Sequence, residues 1–327
     1  MKLHLFGKNT VAKMQKVRYD KRTAVKPLLF TPLAKKREKG ERVMPEGLEA
    51  DKRGYLLENF RLFHLKDTST KTLEYHYHEF DKIILLLGGR VTYMVEGVTY
   101  FLRPWDLLLV PHNQIHRALI DPAEPYERAV LWLGREWMDR RAGPDEPLSA
   151  CFELACQRGF HLLRTGEDRR PLYLRRFQEL EEAARSQEYG HAQMADACCQ
   201  QLLIDVNRDS LRDRTAEREQ DAYRSDPKIE EILRYIAGNL EKPLSVDALA
   251  ERFYLSRYYL MHRFKDVTGY TVHQYISQKR LLLAGELLRQ GLPVMKAAEQ
   301  TGFGDYSTFL RAFRATFHAS PRNFQPR

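Results

Sequence analysis

Cysteine is scarce in this sequence, and no apolar stretch is long. The 327 residues include four cysteines, and neither pair, Cys151 with Cys156 or Cys198 with Cys199, has the spacing of a zinc knuckle or a CxxC redox motif. We therefore expect reduced thiols, as in a cytoplasm. No apolar run approaches the roughly 20 residues of a membrane helix, and Met1–Phe6 is too short for a signal-peptide core. The sequence predicts a soluble cytoplasmic protein without a membrane partner.

The chain also lacks the patterns that carry most enzyme chemistry. It offers no nucleophile motif, pair of catalytic carboxylates or glycine-rich phosphate loop. We therefore predict that the protein is not an enzyme and that it uses no cofactor.

What the chain does have is an uneven distribution of charge. Of the formal net charge of +9, residues 1–43 contribute +10, residues 44–225 contribute −6 and residues 226–327 contribute +5. Basic ends on either side of an acidic middle suit a polyanion partner for the ends and a different role for the middle. The length suits two domains, each with a core of its own.

Changes in composition and in apolar periodicity divide the sequence into four regions. Residues 1–50 form a basic, aperiodic arm, predicted to be disordered, which could contact DNA, fold over the next domain or have no partner. Residues 51–211 begin with short strand-like runs separated by turn residues, typical of a sandwich or small barrel, and become helical after about Glu136. Residues 212–226 are charge-dense and suit a linker. Residues 227–327 read as a helical domain, so the predicted class is an α+β multidomain protein.

Three helical segments are predicted to trail the strands, at 147–158, 169–188 and 191–213. The second carries an apolar stripe that must pack against something, made of Leu172, Leu174, Phe177, Leu180 and Ala184. The stripe can face the domain's own barrel or form a seam between two copies of the chain. These helices are our candidates for a homodimer interface.

The last hundred residues contain an internal sequence repeat. The segment 255–269 is echoed by 304–318, with Phe264 over Phe313 and, beyond the segment, Tyr275 over Phe324. The offset is 49 residues throughout, which indicates one structural unit used twice. Each unit reads as a helix-turn-helix, whose second helix enters the major groove of DNA by its N-terminal half.

Capping residues predict where the helices of each unit begin and end. In the first copy Ser245 and Ser256 are suitable N-caps and Gly269 a suitable C-terminal residue. In the second copy Pro293 suits a first helical turn and Asp305 an N-cap. A long amphipathic helix over 271–290 is predicted to join the copies and to fix their separation.

The inward positions of each second helix leave an outward set of side chains. Leu260 and Phe264 point inward in the first copy, as do Phe309 and Phe313 in the second. Lys265 and Arg314, further along each helix, suit phosphate contacts. The candidates for contact with base edges are Arg257, Tyr258, Met261, His262, Tyr306, Ser307, Leu310 and Arg311.

Residues 302–314, followed by Ser320-Pro321 and Phe324, resemble the second-helix signature of the AraC/XylS family of transcription regulators, and the resemblance covers about residues 227–327. It implies an all-α, seven-helix pair of helix-turn-helix units, with promoter DNA and RNA polymerase as partners. The sequence departs at His318, where the family favours glycine. Histidine tolerates a left-handed conformation better than most residues, so a small cost in stability is expected. Ala297 also replaces a larger aliphatic residue.

The strands from His76-Tyr-His78 to His116 resemble the cupin barrel that many such regulators carry as a sensor. In metal-dependent cupins an H-x-H pair, a glutamate and a distant histidine bind one divalent ion, and His76, His78 and His116 match. The glutamate position falls at Lys82, and Glu79 would point away from His78, so no bound metal is predicted. Our candidates for the lining of a ligand pocket are His76, His78, Tyr93, His116 and Trp132.

Together these features predict a ligand-responsive, sequence-specific transcription regulator, and an activator by the family resemblance. The expected partners are double-stranded promoter DNA, RNA polymerase, a second copy of the chain and a small-molecule effector, with sugars among the candidates. The alternative is a metal-dependent cupin enzyme, a dioxygenase or isomerase, with an attached DNA-binding module.

Overall fold

The computed structural model describes residues 51–52, 56, 58–68, 74–143, 145–213 and 223–325. The described residues belong to one compact unit. The predicted basic arm at 1–50 lies outside the described residues, as does most of the predicted linker. None of the helices within the described residues is long and apolar enough to cross a membrane.

The first half of the chain folds into two β-sheets. One sheet has the strand order β1-β3-β8-β5-β6-β11 and the other has the order β10-β7-β4-β9-β2. Neighbouring strands are antiparallel, except that β1 and β3 are parallel. The strands are β1 Asp51–Lys52, β2 Phe60–Asp67, β3 His76–Tyr77, β4 Asp81–Gly88, β5 Val91–Val95, β6 Val98–Leu102, β7 Asp106–Val110, β8 His116–Ile120, β9 Tyr126–Leu133, β10 Leu162–Arg164 and β11 Tyr223–Arg224.

Strand β4 is buried on both faces, because the second sheet has a packed layer on each side. Ile83 and Leu85 face the helices that follow the sheets, while Ile84 and Leu86 face the space between the two sheets. A near-continuous apolar run is what a strand covered on both faces requires. By the same alternation Lys82 lies on the inter-sheet face, where its charged group meets the interior.

Four helices cover the outer face of the second sheet: α1 Arg135–Arg141, α2 Ala150–Arg158, α3 Arg170–Arg185 and α4 His191–Arg212. The positions of α2, α3 and α4 agree closely with the three predicted segments, whereas α1 was not predicted as a separate helix. The predicted stripe of α3 is wrong in part, since Leu174 is exposed and the buried face consists of Tyr173, Phe177, Leu180 and Ala183. Tyr173 fits that face because its hydroxyl reaches the Asp209 carboxylate at 2.7 Å.

Strands β1, β10 and β11 were not predicted from the sequence. Strand β10 pairs with β7 in a stretch predicted to be helical or loop. Strand β11 lies inside the predicted linker 212–226 and pairs with β6, held by the ring of Tyr223 against Phe160 and by the Arg224 guanidinium over Phe101. Strands of two or three residues are too short to show a periodicity, so only the neighbouring strand edge selects them.

The last hundred residues are helical: α5 Pro227–Ala237, α6 Val246–Arg252, α7 Arg257–Thr268, α8 Val272–Arg289, α9 Val294–Gln300, α10 Tyr306–Phe317 and a final 3-10 turn Pro321–Phe324. The predicted caps are confirmed, with Ser256 accepting from the Tyr259 amide at 3.1 Å and Asp305 from the Thr308 amide at 2.6 Å. His318 adopts the expected left-handed conformation, with φ of 52°.

The repeat persists in three dimensions. In the first copy the rings of Phe264 and Tyr275 meet edge to face at 5.5 Å and 75°. In the second copy Phe313 and Phe324, each 49 positions later, meet at 5.1 Å and 81°. An offset read from the sequence therefore corresponds to one packing unit built twice.

Candidate functional site

The first recognition helix, α7, presents its predicted reading residues to solvent. Leu260 and Phe264 are fully buried, and Arg257, Tyr258, Met261 and His262 are exposed. The rings of Tyr258 and His262, one turn apart, lie 4.2 Å from each other. Arg257 donates through one guanidinium nitrogen to both carboxylate oxygens of Asp247 on α6, at 2.9 and 3.0 Å.

The second recognition helix, α10, presents a different surface. Phe309 and Phe313 are fully buried, and Tyr306, Ser307 and Arg311 are exposed. Arg311 lies 3.4 Å from the Thr308 hydroxyl, and the planar guanidinium suits the paired acceptors of guanine. Leu310 is half-buried and packs at the edge of the second copy's core, so apolar contact is the only kind it can offer.

The two phosphate candidates occupy equivalent positions. Lys265 and Arg314 are both exposed near the C-terminal ends of α7 and α10. Arg263, beside Lys265, is instead paired with Asp226 at 2.6 Å, which ties α7 to the start of α5.

Inside the β domain, the three predicted histidines come together. His76 and His116 face each other across β3 and β8, with ring centres 4.4 Å apart, and His78 lies 4.9 Å from His116. One ligating atom from each lies within 4.8 Å of the others. The ring of Phe80 stacks on His78 and on Trp132, so four of the five candidates share one site.

Tyr93, the fifth candidate, lies beside the cluster on β5. It is two residues from Val95, which pairs with His116. The Tyr93 hydroxyl lies 3.3 Å from that of Tyr126. Burial raises the pKa of Tyr93, which keeps this pair neutral as a polar feature of an otherwise apolar interior.

Lys82 reaches the histidine cluster from the opposite sheet. Its Nζ lies 2.9 Å from Nε2 of His78 and 2.9 Å from Nε2 of His116. Burial lowers the pKa of Lys82 to about 7, and burial followed by the neighbouring Lys82 charge lowers the pKa of His116 well below its usual value. The glutamate that metal-dependent cupins place here is absent, and Glu79 pairs instead with Arg289 at 2.5 Å. The residues present do not fit a metal ion.

A polar seam joins the β domain to α8, and the sequence analysis missed it. On α8 it uses Tyr275, Lys279, Glu286 and Arg289, which fall within an arc of about 80° at 3.6 residues per turn. Glu96 accepts from the Tyr275 hydroxyl and from Lys279 Nζ, the latter at 3.1 Å. The signal available in the sequence was a row of polar residues along one side of a helix that is otherwise buried.

The seam continues through a buried acid beside Lys82. Asp81 accepts from the backbone and ring nitrogens of His112 at 2.9 and 3.0 Å, and the other ring nitrogen of His112 lies 3.5 Å from Glu286. Burial lowers the pKa of His112, but hydrogen bonds and charges from Asp81 and Glu286 outweigh it and raise the pKa to about 9. Asn113 donates to Glu286 and, through its backbone, to the His78 carbonyl.

Comparisons with known proteins agree with this architecture. The family described as an AraC-like ligand binding domain matches residues 60–158, and a helix-turn-helix domain family matches residues 249–327. The chain is 34% identical over 100 residues to the regulatory protein SoxS of Escherichia coli K12, covering 30% of this chain and 94% of that protein. It is 36% identical over 98 residues to the multiple antibiotic resistance protein MarA of Salmonella typhimurium, covering 30% of this chain and 77% of that protein.

A solved structure of ToxT from Vibrio cholerae aligns over 82% of this chain and 98% of that one, with 14% sequence identity and a TM-score of 0.33. The likeness to SoxS, which the chain covers over 94% of its length, together with the two matched families, shows that the chain belongs to the AraC/XylS family. It is a DNA-binding transcription regulator with an N-terminal ligand-binding domain.

Proposed function

We propose that this protein is a ligand-responsive activator that reads an asymmetric promoter site with α7 and α10. The observation that carries the proposal is the pair of capped helices whose buried residues occupy equivalent positions and whose exposed side chains differ. Two such helices on one chain meet successive major grooves on one face of DNA, about one helical turn apart. RNA polymerase is the proposed partner at the promoter.

Selection of bound sequences from a random DNA pool tests this reading. We expect two recovered half-sites of unlike sequence, in one order and about 10 base pairs apart. The same selection with Arg311→Ala should lose preference within one half-site only, and His262→Ala should affect the other. A symmetric recovered site within one chain's footprint would overturn the proposal.

The proposed effector site is the space between the two sheets around His76, His78, Tyr93, His116 and Trp132. These residues combine aromatic surface with a few polar groups, which is the composition of a small-molecule site. Thermal unfolding in the presence of sugars and aromatic metabolites tests the assignment, because a ligand bound to the folded state raises the melting temperature. Trp132→Phe should reduce that shift, while Trp105→Phe, outside the cluster, should preserve it.

The effector signal has a physical route to DNA through β4 and α8. Lys82 contacts the histidine cluster, its neighbour Asp81 holds His112, and His112 faces Glu286 on the helix that joins the two reading units. A ligand can shift DNA binding only if it favours one arrangement of these groups over another. Glu286→Gln should therefore reduce the effect of ligand on DNA affinity, whereas Glu299→Gln, exposed on α9, should leave it unchanged.

We further propose that the protein is a cytoplasmic homodimer and not an enzyme. The outer surface of α3 and α4 exposes Leu174, Met194, Ile204 and Leu211, an apolar surface that a second copy can cover. All four cysteines are free, which suits a reducing compartment. Sedimentation of the chain with Met194→Glu and Leu211→Glu should give a monomer where the unmodified chain gives a dimer.

A further inference from the structure

The histidine cluster has the shape of a metal site, and a lysine amine contacts two of its three imidazoles. His76 and His116 are paired across β3 and β8 of one sheet, and Lys82 comes from β4 of the other, where it pairs with Val110 and Trp132. The cluster thus ties the two sheets together. All four side chains are buried.

Lys82 donates its hydrogens to the histidine lone pairs that a metal ion would need. His116 Nδ1 lies 2.9 Å from the Gln114 carbonyl oxygen, so Nδ1 carries the proton and Nε2 carries the lone pair. That lone pair faces Lys82 Nζ at 2.9 Å, and His78 Nε2 faces the same amine at the same distance. A neutral imidazole nitrogen has one lone pair in the ring plane, so it cannot accept from an amine and ligate an ion at once.

We propose that the Lys82 amine takes the place of a divalent cation between these two sheets, so that the protein needs no metal and becomes a metal-binding protein when the amine is removed. The amine holds the imidazoles in position through hydrogen bonds, as an ion would through coordination. Lys82→Glu supplies an oxygen ligand in addition to three imidazoles, a set that suits divalent transition metals. The inference stands independently of the proposed DNA site.

Cobalt(II) titration of the full-length, chelator-treated protein tests the inference, with binding followed by visible absorption and by metal analysis after gel filtration. The unmodified chain should retain little cobalt. Lys82→Glu should retain about one ion per chain, and Lys82→Gln, with three imidazoles, should also bind but more weakly. Adding His116→Asn to Lys82→Glu should abolish binding.

A matched control is Lys66→Gln, which removes an exposed amine paired with Glu127 and should leave cobalt uptake as in the unmodified chain. Circular dichroism melts verify that each variant is folded. If the unmodified chain binds one cobalt ion and His116→Asn abolishes that binding, the proposal is wrong. It is equally wrong if folded Lys82→Glu and Lys82→Gln both bind none.

A measurement on the unmodified chain does not depend on the folding of any Lys82 variant. One equivalent of paramagnetic cobalt should place no ion among His76, His78 and His116, and their imidazole nitrogen resonances should stay sharp, since the lone pairs of His78 and His116 are engaged by Lys82. Broadening of all three at one equivalent would show an ion among them and would overturn the proposal.

Discussion

The two helix-turn-helix units share a scaffold but differ in what their cores are made of. The core of the first copy includes Tyr77 and Ile115 of the β domain together with Leu260 and Phe264. The core of the second copy, around Phe309 and Phe313, is formed entirely by residues after 280. The first unit is therefore packed into the ligand-binding domain. The difference indicates that a change in the β domain reaches the first reading helix through a shared core, whereas it reaches the second unit through α8 and through strand β1, which lies against α10.

Two glycines mark how close the β domain comes to the first unit. A Cβ atom added at Gly97 would lie 2.9 Å from the Leu233 side chain, and one at Gly269 would collide with the Tyr75 ring. Both glycines have positive φ, so a side chain would be strained as well as crowded. At these two positions the backbone of one region lies directly against a side chain of the other, with no room for a Cβ atom between them.

The largest expected effect comes from removing the equivalent core rings. Phe264→Ala and Phe313→Ala should each lower the free energy of unfolding by about 3–5 kcal/mol, measured by chemical denaturation. Hydrogen exchange should separate them: Phe264→Ala should increase exchange at Tyr77 and Ile115, and Phe313→Ala should not. Tyr258→Ala, on the exposed face of α7, is the control and should change stability by less than about 0.5 kcal/mol. Equal exchange in the β domain of both variants would contradict the conclusion that only the first core is shared with that domain.

The next largest effect is a pH dependence of the folding stability, caused by His112 near the C-terminal end of α8. The pKa of His112 is raised to about 9 from its ordinary 6.5, so its protonated form stabilises the folded state. This contribution is complete below about pH 6.5 and is lost as the pH rises through about 9. It amounts to at most about 3 kcal/mol, reduced by solvent because the side chain is about a quarter exposed.

Melting temperatures of the unmodified chain and of His112→Gln should therefore differ most near pH 6 and converge above pH 9. The control is Glu96→Gln at the first-copy end, whose effect should not follow this pH course. A constant difference between the unmodified chain and His112→Gln from pH 6 to 10 would contradict the assignment.

A smaller effect is expected at single bases. Arg311→Ala should cost about 1–3 kcal/mol of discrimination at one base pair, measured by fluorescence anisotropy on a set of singly changed sites. His262→Ala, on the exposed face of the first reading helix, should alter preference in the other half of the site. If Arg311→Ala leaves affinity and preference unchanged, the proposed orientation of α10 is incorrect.

The smallest effect on DNA binding should come from the phosphate candidates Lys265 and Arg314, and it should be similar for both residues. Lys265→Ala and Arg314→Ala should each weaken binding to all sequences similarly and reduce the slope of log affinity against log salt by about 1. Lys296→Ala, on α9 and paired with Glu299, serves as the comparison. A sequence-dependent loss from Lys265→Ala would place that side chain at a base rather than at a phosphate.

Much of the C-terminal domain could be predicted because its signals are local. A cap at Ser256 or Asp305 depends on its own helix, and the 49-residue offset needs no knowledge of the rest of the fold. The β domain was less predictable in detail. Leu174 has the spacing of a buried residue, yet Tyr173 is buried instead because Asp209 on the next helix satisfies its hydroxyl.

The sequence alone determined that two helix-turn-helix units exist, where the second helix of each begins, which apolar pair of each lies inside and that their outward faces differ. It also determined that His76, His78 and His116 belong to one pattern. Three features depend on the packing of distant segments: Lys82 lies beside His78 and His116, β11 completes a sheet, and the first unit shares its core with the β domain. Helical periodicity and capping depend on residues that are close in sequence. A contact such as that of His112 with Glu286 joins groups more than 170 positions apart, so it depends on how the domains pack.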